Sequence, residues 1–214
     1  MRRFPLRALV ALMLVGNAVL TAQPQEGPTI PKLPDVNGEL LKLVVADQWD
    51  RGMDMFSGRP VKTPESLDWQ QIGKRDAERR VAVRSMLQAG QIQSGRDYEF
   101  AAILFQHSSD LAGLQTAHIL ASTAVAKGNP KARWLSVASF DRLLWSMDRP
   151  QVFGTQFKQN SQTKAWTMDP YDREAIPDAI RAAWCVVGVA QQARILKDMQ
   201  SGGGNPSTSV VDCK

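Results

Sequence analysis

The sequence predicts a mainly α, single-domain protein: a compact multi-helix domain of helical hairpins with repeat-like packing and one small β-hairpin near residues 152–168. Three observations carry that prediction. Residues 97–157 hold three successive helical patterns with clean stops between them. Segments beginning near 38, 65 and 177 show the same three-and-four spacing of apolar residues. The β-capable runs 152–157 and 164–168 flank one polar turn. The hairpin pattern does not recur at a fixed period, so a single packed domain is expected rather than a repeat array.

The chain opens as a secretory signal peptide of the Sec type. Met-Arg-Arg-Phe-Pro-Leu-Arg precedes the apolar run Ala8 to Leu20, and Thr21-Ala22-Gln23 offers a cut after Ala22. That run of 13 residues is shorter than the roughly 20 a spanning helix needs. No cysteine follows it to carry a lipid. Residues 1–22 are thus expected to be removed, leaving a soluble periplasmic or secreted protein without a membrane span.

Residues 23–37, with Pro24, Pro28, Pro31 and Pro34, read as an extended spacer. The folded domain is expected over 38–200. Its first helix starts near Gly38 with Leu40, Leu43 and Val44, and the same stripe continues through Asp47, Asp50, Arg51 and Asp54, so it enters apolar and leaves acidic. Loop signals at Gly58-Arg59-Pro60 and Thr63-Pro64-Glu65 precede a long helix over about 65–88. There Trp69, Ile72, Val83 and Leu87 face inward, with Asp76 and Arg80 between them and placed to pair.

Ser94 caps the next helix with an acid, Asp97, three residues on. Phe100, Ile103, Leu104 and His107 share its stripe. Ser108-Ser109-Asp110 breaks the helix and caps another over 111–127, whose Leu114, Ala117, Ala121, Ala124 and Gly128 form a face of small residues. Asn129-Pro130 opens a third helix with Trp134, Val137, Ala138, Asp141 and Trp145 on one stripe, ended by Pro150. One last helix is expected over 177–200, with Ile180, Trp184, Val187 and Ile195 inside, followed by a flexible tail over 201–214. Cys185 and Cys213 either pair, with a loop-closure contribution of about 3–4 kcal/mol at most, or persist as a buried thiol and a tail thiol.

The net charge of +5 does not indicate nucleic acid. Setting aside Arg2, Arg3 and Arg7 of the leader takes the 26 basic residues to 23 against 21 acids, and these are interleaved. Metal and cofactor chemistry is not implied either. Histidines number two, the cysteines lack ligand spacing, and Asp47, Asp50 and Asp54 read as a solvated face.

The candidate site comes from charges on inward faces: Asp47 and Arg51, Asp76 and Arg80, Gln106 and His107, Asp141 and Arg142. Buried charges are costly unless they meet each other or a ligand. Asp47, Arg51, Asp76, Arg80, Gln106, Arg142, Gly154, Thr155 and Gln156 are the binding candidates. The first reading is a binding, interaction or structural module for a protein or small-molecule ligand, its groove lined by the small-residue face with Trp134, Trp145 and Trp166. The alternative is a hydrolase-like enzyme in which His107 is general base or acid, Asp141 orients it, and Arg80 or Arg142 holds an anionic substrate. Thr155, Ser108 and Ser109 are hydroxyls without a nucleophile turn.

The series Asp47-Gln48, Asp50-Arg51, Asp76, Arg79-Arg80, Phe105-Gln106-His107, Ala117-His118, Gly128, Trp134-Leu135, Asp141-Arg142 and Gln151 to Gln156, with the later Pro177-Asp178, Arg181 and Trp184-Cys185-Val186, resembles an uncharacterised family of bacterial helical domains. The resemblance spans about residues 40–200. It implies those domain limits and a bacterial source, and supplies no reaction.

Overall fold

Asn37 turns the chain into its first helix, its side chain accepting hydrogen bonds from the backbone N–H groups of Glu39 and Leu40. The computed structural model describes residues 27–28 and 30–203, so the expected signal peptide, part of the proline-rich segment and Cys213 lie outside the described residues. Within them run α1 (Gly38–Asp50), α2 (Trp69–Gln88), α3 (Gly95–Phe105), α4 (Leu111–Ala126) and α5 (Ala132–Ser146). Then come the antiparallel pair β1 (Lys158–Gln159) and β2 (Trp166–Thr167), and α6 (Asp178–Ala183) and α7 (Val189–Gln200). The fold is mainly α with a small β-hairpin, as the periodicity predicts. No described helix is long and apolar enough to cross a membrane.

The core follows from the stripes. Leu40 and Val44 of α1, Val83 of α2, Phe100, Leu104 and Phe105 of α3, and Ala117, Leu120 and Ala121 of α4 form one buried cluster. Each large side chain removed from water there contributes about 1.5–3 kcal/mol. Ser94 and Asp97 form a full capping box, and the Asp97 carboxylate also accepts from the Asn37 backbone N–H at 2.7 Å, tying the start of α1 to that of α3. Two smaller clusters, around Val137, Phe153 and Val186 and around Val187, Ile195 and Met199, hold the C-terminal third.

Several expectations need correction. The second helix begins at Trp69, because Asp68 caps it after a separate 3-10 turn at Pro64–Ser66; Trp69 itself is 62% exposed. The first helix stops at Asp50, so Asp54 leaves the acidic stripe and caps an exposed turn through Phe56 N and Ser57 N. The last helix is two: Cys185 takes a φ of +61° between α6 and α7, and Ile180 is exposed. Asp178 joins the halves, accepting from Val189 N at 3.1 Å and from Arg181 Nη1 at 3.2 Å. Residues 152–157 are a buried loop rather than a strand, and the hairpin lies beyond them. The proline-rich segment is anchored at its end, since Leu33 and Val36 pack on the main core. The small-residue face of α4 is filled by its neighbours, with Ala117, Ala121 and Ala124 fully buried, and so offers no groove.

Candidate functional site

Asp47 and Asp50 lie three residues apart on α1, so both reach the facing side of α2, where Asp76 and Arg79 are also three apart. Arg51, at the end of α1, donates from Nη1 to Asp47 Oδ1 at 2.7 Å and from Nη2 to Asp76 Oδ2 at 2.6 Å. Arg79 donates from Nη1 to Asp76 Oδ1 at 3.1 Å and from Nη2 to Asp50 Oδ2 by a short contact. Arg75 adds a bond from Nε to Asp50 Oδ2 at 2.7 Å. Three carboxylates and three guanidiniums thus neutralise one another. The expected pair Asp76 and Arg80 is replaced by Asp76 and Arg79, because the three-residue step points back toward α1. Arg80 Nη1 is buried without a hydrogen-bond partner.

His107 lies in the turn after α3, with Nδ1 3.2 Å from Asp47 Oδ1. Burial pushes the Asp47 carboxyl up, but the hydrogen bond and charge of His107, with Arg51 and Gln48, outweigh that and hold it below its ordinary value. Asp141, the expected orienter of His107, is committed elsewhere. Its buried carboxylate accepts from Val152 N at 2.8 Å, Phe153 N at 3.0 Å, Thr155 N at 3.0 Å and Thr155 Oγ1 at 2.8 Å. Burial raises its pKa in spite of these four donors.

Those bonds fix the loop 151–157. Gln151 closes it from inside, donating from Nε2 to the Gln156 and Met168 carbonyls and accepting from Gln156 N at 2.7 Å. Gly154 holds a φ of +75°, and a Cβ there would sit 2.5 Å from Tyr171 Cζ, so only glycine lets the loop reach the ring. The loop delivers the Gln156 side chain, which donates from Nε2 to Ala138 O at 3.1 Å and accepts from Arg142 Nε at 2.9 Å.

Arg142 is the odd member. Its Nη1 donates to the Gln106 backbone carbonyl at 2.8 Å, so Gln106 acts through its main chain. Every acceptor of this arginine is neutral, and no ion pair to it is formed among the described residues. Burial and the nearby charge of Arg51 lower its pKa. Arg142 lines an open cavity of about 300 Å³ with Trp145, Ser146, Asp148, Lys158 and Pro170, and Lys158 Nζ stands 4.9 Å from the Trp145 ring centroid.

The chain matches no family model, no curated protein and no solved structure.

The structure brings Asp47, Arg51, Asp76 and His107 into one network. Gln106, Arg142, Gln156, Thr155 and Asp141 join in a second, near enough to the first for the charge of Arg51 to act on Arg142. Arg79, Arg75, Asp148 and Lys158 are participants that the stripes did not single out. The tryptophans do not share a groove: Trp134 packs on the main core, Trp166 on the cluster of α7, and Trp145 on the cavity. His118 is a packed residue, its Nδ1 2.9 Å from the Ser136 carbonyl. Among the described residues no group of three His, Cys, Asp or Glu is arranged to hold a metal ion. Cys185 is disulfide-bonded, and Cys213 lies outside the described residues.

Proposed function

We propose that the protein is an exported binding module that holds a small anionic ligand at Arg142. One observation carries the reading: Arg142 is a half-buried cation answered only by neutral acceptors, whereas Arg51, Arg75 and Arg79 each have a carboxylate. A guanidinium shielded from water without a counter-ion gains most from a carboxylate or phosphate, which it meets with two parallel hydrogen bonds. The loop 151–157 and Gln156 fix the arginine in advance, which lowers the ordering cost of binding. The test is calorimetric titration of the purified chain with acetate and with inorganic phosphate. Binding that disappears in Arg142→Gln supports the reading, and equal binding by both proteins removes it. Export is tested by N-terminal sequencing of the secreted protein, with Gln23 expected as the first residue.

A second reading, a hydrolase, is favoured by the contact of His107 with Asp47. An acid at Nδ1 holds the proton there and leaves Nε2 as base. Asp47 then takes the role first assigned to Asp141. His107→Ala should retain phosphate binding yet lose any turnover of an anionic ester such as p-nitrophenyl phosphate.

A further inference from the structure

We infer that the ligand of the Arg142 cavity is amphoteric, carrying a carboxylate and an ammonium group as a free α-amino acid or a short peptide does. This deepens the anion-binding reading and rests on it. The cavity wall has both signs of charge. Arg142 and Lys158 supply cations, and Asp148 supplies a carboxylate. These groups share about 300 Å³ of space, yet no ion pair joins them, and the Asp148 side chain has no hydrogen-bond or ion-pair partner among the described residues. Asp148 sits just past the end of α5 with a φ of +55°, so the chain has already left the helix where it presents its carboxylate.

A simple anion leaves Asp148 unanswered and brings a second negative charge into a small space. A simple cation does the same to Arg142. A ligand with both charges separated by a short apolar link satisfies each, and Trp145 and Pro170 supply the apolar wall for that link. The volume is at the small end for ligand cavities, which suits one amino acid or a dipeptide rather than a longer chain. Lys158 lies over the Trp145 ring, on the wall of the same cavity as Arg142, and adds positive charge on the side that would take the carboxylate.

The experiment is calorimetric titration of the purified chain with each of the twenty common L-amino acids and with glycylglycine. Acetate and inorganic phosphate are titrated alongside. The tightest binder is then remeasured as its N-acetyl and its C-terminal amide form. The expected result is that each blocking group weakens binding by about tenfold or more. Asp148→Asn should remove the N-acetyl penalty, and Arg142→Gln should weaken every ligand. A dipeptide tighter than its constituent amino acid points to peptide ends as the source, and the reverse to free amino acids. If acetate or phosphate binds through Arg142 while free and N-acetylated forms bind alike, or no amino acid binds, the amphoteric inference is overturned and the anion reading stands. If nothing binds, both fall. Asp148 is exposed, so its substitution leaves the fold unaffected.

Discussion

Arg142 Nε donates to Gln156 Oε1 at 2.9 Å, adding a side-chain bond to those of Asp141 and Ala138 that join α5 to the loop 151–157. Because Gln156 is neutral, it orients the guanidinium without neutralising it. Replacing Gln156 with Glu is expected to supply the missing counter-ion internally. Phosphate affinity should fall at least tenfold, and stability by about 1–2 kcal/mol, because Ala138 O loses its donor. Titration calorimetry and denaturant unfolding of the variant check the two effects separately.

Asp141→Asn should destabilise by about 3 kcal/mol or more, since an amide nitrogen then faces backbone N–H donors at a fully buried position. Urea unfolding measures it. The NMR ring resonances of His107 in the same variant should stay in place, because His107 contacts Asp47 rather than Asp141.

Gly154→Ala is expected to cost about 2 kcal/mol or more, from a left-handed backbone and from the approach to Tyr171. Combining it with Tyr171→Phe should recover little, because the ring carbons already lie within 2.7 Å of the added atom. Thermal melting of the single and double variants decides this.

Acid unfolding has a defined sign. Asp47 and Asp50 have pKa values held below their ordinary 3.8, so the unfolded chain takes up protons first. The stability these two contribute is fully present above that value and is lost as pH falls through their lower folded values. Asp141 acts oppositely. Its raised pKa gives a contribution that is present at low pH and is lost as pH rises through the folded value. Melting temperatures taken from pH 7 downward should therefore fall less steeply in Asp47→Asn than in the parent.

The helical stripes made much of this site legible. Residues 47, 76, 141 and 142 lie on helices and 51 and 107 just past the ends of α1 and α3, and the helical period, continued past those ends, identifies them. Which acid meets which base is not periodic information. Asp76 has basic residues three and four positions on, and only the approach of α1 selects Arg79 over Arg80. Asp141 and His107 both face inward, but they lie on different elements, and the loop 151–157 claims Asp141 through main-chain donors that leave no trace in side-chain pattern. The break between α6 and α7 was hidden for a related reason. Its only sequence mark is Gly188, and its cause is the long-range grip of Asp178 on the second helix.

The contact of Gly154 with Tyr171 also constrains how such a sequence drifts over generations. A larger residue at 154 is admissible only after the ring at 171 has shrunk. Shrinking it frees the Arg181 Nε and Gln192 Oε1 groups that its hydroxyl now engages. The four positions are therefore expected to change as a set or not at all, and a relative carrying one replacement alone should carry a shifted Gln156 with it.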